Sequence, residues 1–406
     1  MGKKWTMFLL VVVLITGIPC ASYAAKFNLA DIDWELSGSV RLDTGYRFSD
    51  LGSTPATPAG QESRQTDWFL ENPGNSRLGL KTTYENIFAY YEVGIPTNPV
   101  AITTRHLYAN YGINDRNSLL LGQTTSVFAP LDPEQHLRQD KLLNGFGNIY
   151  PSRNPQFRYS YKTGGITANI AVEDTKSACA DTVVSGSHIT DNYIPVVEAS
   201  LVYKNDMLMV SPSFYYQTYT LKKNDALDTT KTVNVGSWAA ALDGTVKTDI
   251  ILMALEVWYG QNLSTFSIDQ RSNAKKTTTM GAPVANAAGS DLKNVNSFGG
   301  WLQLGVPIKP VTIYLGYGYQ QSQVRNADTS TVVYEDKVST QGAYANAKWE
   351  VKKGFYVQPE VAYFDNGHDA QKTLTGGTAQ SPIVYAAGDN KLGNDIYAGI
   401  HFQYDF

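Results

Sequence analysis

The chain has 406 residues, a formal charge of -4 and 17% charged residues, against roughly 25% in an ordinary soluble domain. A mean hydropathy of -0.25 is too polar for a helical membrane protein, and 12% aromatic residues is too many for a hydrophilic disordered chain. The acidic balance leaves no basic surface that would point to nucleic acid.

The N-terminus reads as an export signal. Lys3 and Lys4 precede an apolar run from Met7 to Ile18, and Ser22-Tyr23-Ala24 supplies small residues for cleavage. The run is too short to span a bilayer as a helix. Cys20 suggests a lipoprotein, but Pro19 occupies a position where a small residue is required. Cleavage after Ala24 removes Lys3 and Lys4, taking the formal charge from -4 to -6, and leaves Cys179 alone, without an intrachain disulfide framework. Residues 1–24 are thus expected to be a signal peptide and residues 25–406 a single barrel domain.

A chain in lipid must satisfy its own backbone polar groups, which only helices and closed barrels do. No mature segment holds 18 consecutive apolar residues, so the expectation is a transmembrane antiparallel β-barrel. Trp34 to Phe48 puts Trp34, Leu36, Val40 and Leu42 on one face and Ser37, Ser39, Arg41 and Asp43 on the other. A polar Pro/Gly-containing connection, Ser49 to Gly74, follows. Ser76–Tyr84 turns at Glu85-Asn86 into Ile87–Ile95, and Thr104–Ile113 turns at Asn114–Asn117 into Ser118–Val127. Hairpins recur around Thr163-Gly164-Gly165, Lys204-Asn205-Asp206, Lys247-Thr248-Asp249, Pro307–Pro310 and Lys352-Lys353-Gly354. Between them run long connections rich in Gly, Ser, Thr, Asn and Asp. The last stretch, Ile396 to Phe406, has Ile396, Ala398, Ile400, Phe402, Tyr404 and Phe406 on one face. Its eleven residues are the length a tilted strand needs to cross the hydrocarbon layer. The count is about 16 strands, and short turns alternate with long loops. Tyr46, Tyr84, Tyr203 and Tyr319 near strand ends suit interfacial girdles, although strand propensity alone places tyrosines as readily.

The connection from 128 to 154 differs from the others. Asp132, Pro133 and Glu134 read as an N-cap, a first helical residue and a first-turn acid, and Leu137, Lys141 and Leu142 give a short amphipathic turn or two ending near Asn144-Gly145. It follows the fifth strand, so it is the expected inward-folded constriction loop.

A narrow pore amplifies fixed charge. The inward strand phases offer Arg41, Arg47, Arg77, Lys81, Arg158 and Lys162, and Arg153 stands at the loop's far end. Glu92, Glu173, Glu198 and Glu360 oppose them. The loop adds Asp132, Glu134, Arg138 and Asp140. The basic residues gather on the first, second and sixth strands, which predicts a cationic wall that favours small anions such as carboxylates. A crossed field that orients polar solutes without selecting charge fits the same residues.

The closing aromatic strand resembles the C-terminal signature of bacterial outer-membrane barrels. Asn75-Ser76-Arg77-Leu78-Gly79-Leu80, Leu121 to Phe128, and Arg153-Asn154-Pro155-Gln156-Phe157-Arg158-Tyr159 resemble motifs of the DcaP-like porins, over roughly residues 75 to 162. The resemblance implies a trimeric sixteen-stranded outer-membrane channel of the general porin superfamily for small hydrophilic solutes, some members passing dicarboxylates, with Arg77, Arg153 and Arg158 as pore arginines. Members with a long N-terminal extension exist; here only Ala25 to Asp33 stand between the cleavage site and Trp34. Small residues such as Gly38 and Ala398 would permit close contact between barrels. The expected partners are membrane lipid, small solutes and two further copies of the chain.

No enzyme or cofactor is expected. His106, His136, His188, His368 and His401 are scattered, without nucleophile, metal or haem-attachment spacing. The alternative is a structural barrel sheathing a partner such as an electron-transfer protein.

Overall fold

The computed structural model describes residues 24–29, 31–50, 64–95, 102–174, 189–222, 232–266, 292–324, 337–369 and 390–406, with short stretches at 268–269, 280–281, 284–285, 372–375 and 384–387. The export segment up to Tyr23, and with it Cys20, lies outside the described residues, as do Cys179 and His188.

Sixteen antiparallel strands close into one barrel: β1 (Ile32–Asp50), β2 (Arg64–Glu71 and Arg77–Tyr84), β3 (Ile87–Gly94), β4 (Thr103–Gly112), β5 (Asn117–Thr125), β6 (Arg153–Thr163), β7 (Ile166–Glu173) and β8 (Ile189–Lys204) form the first half. The second half is β9 (Leu208–Lys222), β10 (Thr232–Lys247), β11 (Leu252–Gln261), β12 (Val295–Ile308), β13 (Val311–Val324), β14 (Lys337–Lys352), β15 (Phe355–Asp365) and β16 (Asn394–Asp405). Each strand pairs with the next, and β1 closes on β16 from Ser39↔Asp405 to Asp50↔Asn394. A leading strand, Ala25–Leu29, pairs with Ile32–Leu36, continuing the edge of β1 past the point where β16 ends. Among the described residues no helix is long and apolar enough to cross a membrane.

The outer wall is the apolar phase of each strand. Val40, Leu107, Leu121, Leu315 and Val361 are all more than half exposed, the inverse of a soluble core and the signature of a lipid-facing belt. Tyr46, Tyr84 and Tyr203 are exposed at strand ends.

Two expectations change here. The stretch 49–74 is not one long connection: Arg64–Glu71 extends β2, pairing with the far half of β1 from Asp43↔Glu71 to Asp50↔Arg64. Pro73, which cannot donate to a ladder, falls in the break between the two parts. Gly38 does not offer free space on the outer wall. A Cβ there would stand 2.4 Å from the Phe406 ring, and the Gly38 amide donates to the Phe406 carbonyl at 2.9 Å. The terminal aromatic fills that notch.

The hydrophobic core lies inside the cylinder. Phe128, Ile149, Tyr215 and Phe266 form one buried cluster, and Leu137, Leu143, Phe146, Trp301 and Phe364 belong to a second. Both are made by residues 126–152 packing on the inner wall. Leu263, Phe266 and Ile268, which the sequence presents as part of an ordinary long loop, also join the first cluster.

Candidate functional site

Residues 126–152 leave β5 and cross the lumen, held by inward side chains of strands on the far side. Glu198 of β8 accepts from the Ser126 hydroxyl and from the Val127 amide at 3.1 Å. Glu360 of β15 takes the amides of His136 at 2.9 Å and Leu137 at 2.8 Å, and the Gln135 side-chain amide at 2.9 Å. Trp258 donates to the Gly147 carbonyl at 2.7 Å, and Thr340 to that of Gly145 at 2.8 Å. Gly147, at φ +124°, lies so close to β12 that a Cβ would stand 2.5 Å from the Gly300 carbonyl oxygen.

The helical reading of the loop needs correcting. Asp132 is not an N-cap; its carboxylate accepts from the Asn148 side chain at 3.0 Å. The helical turn is confined to Leu137–Asp140 and follows His136, and Arg138 and Gln139 have left-handed φ of 70° and 60°. Tertiary bonds to Glu360 and Arg41 dictate this backbone, so a local capping signal could not predict it.

The loop leaves an opening against β1–β6. There a cavity of about 510 Å³ is lined by Arg41, Arg77, Arg105, Arg153 and Lys348 and by the loop acids Asp132, Glu134 and Asp140. Arg41 meets Asp140 at 3.1 Å, and Lys348 meets Glu134 at 3.0 Å. On the wall, Glu92 takes Arg105 at 2.7 Å, Arg77 at 3.5 Å and the Tyr90 hydroxyl at 2.8 Å. Arg153 donates to the Tyr150 hydroxyl at 2.6 Å and to Nε2 of His106 at 3.3 Å, so Nδ1 of His106 donates to Thr124. A second cavity of about 430 Å³ is lined by Arg47, Arg138, Lys141, Phe69 and Tyr397. It lies toward the long-loop end, and Gln139 borders both cavities. Gln139 donates to Glu71 at 3.0 Å.

Of the residues the sequence singled out, Arg41, Arg77, Arg153, Asp132, Glu134 and Asp140 surround the first cavity, and Arg47 and Arg138 the second. Glu92 backs the first cavity through Arg77 and Arg105, Glu198 and Glu360 hold the loop, and four more stand elsewhere. Lys81 lies over the Phe88 ring at 5.2 Å, and Lys162 is exposed at the end of β6. Arg158 donates to Gln156 at 2.9 Å and to the Thr125 carbonyl, and Glu173 accepts from Asn154 at 2.7 Å. Arg105 and Lys348 escaped the sequence reading. Strict alternation points Arg105 outward beside inward His106, but a register shift between Glu92 and Val93 turns both inward. Lys348 has the inward phase, and only contact with Glu134 reveals its place.

His136 joins the loop's own charges. Its Nδ1 lies 2.8 Å from Asp140 and its Nε2 3.4 Å from Glu134. Burial works against its protonation, but these two acids outweigh burial and raise it to about 9. Burial likewise opposes ionisation of Asp140 and Glu134, yet His136 beside each holds both carboxyls well below the usual range. The His136 ring stacks on His401 at 4.4 Å and 11°. Among the described residues His136, Asp140 and His401 bring potential ligand atoms within 4.8 Å of one another. Both His136 nitrogens are already engaged, by Asp140 and Glu134, which leaves neither to ligate an ion.

No protein-family model and no curated protein sequence matches the chain. Solved structures do. The outer membrane channel DcaP of Acinetobacter baumannii aligns at a TM-score of 0.63 and 20% identity, covering 95% of this chain and 100% of that one. OmpT of Vibrio cholerae in its trimer form aligns at 0.55 and 11% identity, covering 92% and 99%. An anion-selective porin from Comamonas acidovorans aligns at 0.54 and 13% identity, covering 92% and 100%. The fold is that of the outer-membrane porins.

Proposed function

We propose that this protein is a porin of the bacterial outer membrane, a trimeric water-filled channel for passive diffusion of small hydrophilic solutes that prefers small anions such as carboxylates. The observation that carries the reading is the cavity of about 510 Å³ with five basic side chains on its wall and three acids on its loop. Two of those acids are tied to Arg41 and Lys348, which leaves the arginine wall in excess. Residues 128–154 form the constriction, because a loop pinned across a lumen leaves only the gap beside it. Fixed charge in such a gap acts through low-dielectric surroundings and is weakly screened. Placing bases on the wall and acids on the loop also makes a transverse field, which orients dipolar solutes whatever their net charge.

The protein works as a passive channel, without catalysis or cofactor. The trimer form of one structural neighbour, OmpT of Vibrio cholerae, supports assembly in threes. Reversal potentials across planar bilayers in a salt gradient test the selectivity: anion preference is expected, and cation preference overturns the carboxylate reading. A barrel that never conducts when isolated would instead be a sheath for a partner.

A further inference from the structure

Beneath the loop, on the wall opposite the arginines, two acids face each other on adjacent strands. Asp243 of β10 is the register partner of Glu256 of β11, and Ser211 of β9 is the register partner of Asp243. All three point inward, at 0%, 0% and 1% exposure. Neighbouring residues across a ladder hold their Cβ atoms about 5 Å apart, so Asp243 stands between Glu256 and Ser211 with a side chain of each beside it.

Their oxygens are poorly satisfied. One Glu256 oxygen accepts the Ile149 amide at 3.1 Å. The other Glu256 oxygen, both Asp243 oxygens and the Ser211 hydroxyl lack a well-formed hydrogen bond; the Leu131 amide and the facing Glu256 carboxyl make only looser polar contacts with Asp243. Among the described residues no basic side chain pairs with either carboxylate, and the further charge bearing on both is another acid, Asp132. Burying one ionised carboxylate without a partner costs several kcal/mol, and burying two side by side costs more. Ser211 adds an independent sign: a buried neutral hydroxyl beside Asp243 on the same inward face, with nothing to bond.

We propose that Asp243, Glu256 and Ser211 form a binding site for a hard divalent cation of the calcium class, which bolts the base of the lumenal loop to the barrel wall. The donors are all oxygen, the set that calcium takes and that softer metals do not favour. Water and nearby carbonyls complete the six to eight ligands such an ion takes. The ion offsets the two carboxylates and, through Glu256, fixes the Ile149 amide at the loop's return to β6. The proposal stands apart from the solute reading, because binding is read without conduction.

The test uses the full chain refolded in detergent free of lipopolysaccharide. Terbium luminescence excited through tryptophan is titrated and then displaced with calcium; Trp258, two residues from Glu256 on the same face, is the donor. The expected result is a tight site displaced by calcium and lost in the Asp243→Asn/Glu256→Gln variant, whose heat-modifiable gel migration stays that of a folded barrel. Ser211→Ala, a milder change, is expected to weaken the site about tenfold. Calcium is expected to raise the melting temperature of the wild type, and a chelator to reverse it. Terbium binding equal in wild type and double variant, or melting indifferent to calcium and chelator, overturns the proposal and leaves the acids sharing a proton.

Discussion

The two sides of the lumen solve opposite problems. Strands β8 to β15 hold the loop through Glu198, Glu256, Trp258, Thr340 and Glu360, and apolar clusters fill the space between. Strands β1 to β6 present Arg41, Arg77, Arg105 and Arg153, of which Arg77 and Arg105 share Glu92, around a cavity of about 510 Å³. One wall is a floor for the loop; the other faces water. Interior polar groups satisfied by backbone amides build structure, whereas charges left facing a void build a field.

The largest test of this contrast is Glu360→Ala. It leaves the His136 and Leu137 amides without their acceptor, at about 1–3 kcal/mol for each buried amide. The loop is expected to detach, with higher, noisier single-channel conductance and a lower melting temperature; unchanged traces would show that Glu360 is not what holds it. Gly147→Ala comes next, with an expected loss of about 1–3 kcal/mol from the positive φ and the contact with the Gly300 carbonyl. Gly236→Ala, where a Cβ meets nothing within 4 Å, is the control and should change urea unfolding by less than about 0.5 kcal/mol.

On the open wall the pattern should reverse. Arg77→Gln with Arg153→Gln is expected to lower the anion-to-cation permeability ratio about three- to tenfold, with stability within about 1 kcal/mol of the wild type. Reversal potentials and melting, measured on the same preparation, separate the two effects. The smallest expected effect is on pH. His136 is raised in the folded loop from 6.5 to about 9, so its contribution is complete below about 6.5 and is lost as pH rises through about 9. Conductance noise and protease nicking of the loop should increase as pH rises through about 9, and the step should vanish in His136→Gln.

Much of the barrel was legible in the chain because period-2 alternation has one cause, water on one side of a strand and lipid on the other. The inward placement of Arg41, Arg77 and His401 follows from that alone. Arg105 did not, because a bulge shifts phase without a local marker. The loop was visible as an interruption of the strand pattern, but its left-handed turn was not, since Glu360 lies 223 residues from Leu137.

By itself, then, the sequence determined the wall: its strand phases, its short turns and its lipid-facing belt, all products of local periodicity. Tertiary structure alone decided the lumen. Which side the loop covers, which arginines share a cavity and where Asp243 meets Glu256 depend on pairings across the closed cylinder. Ring closure brings together residues that no local pattern links.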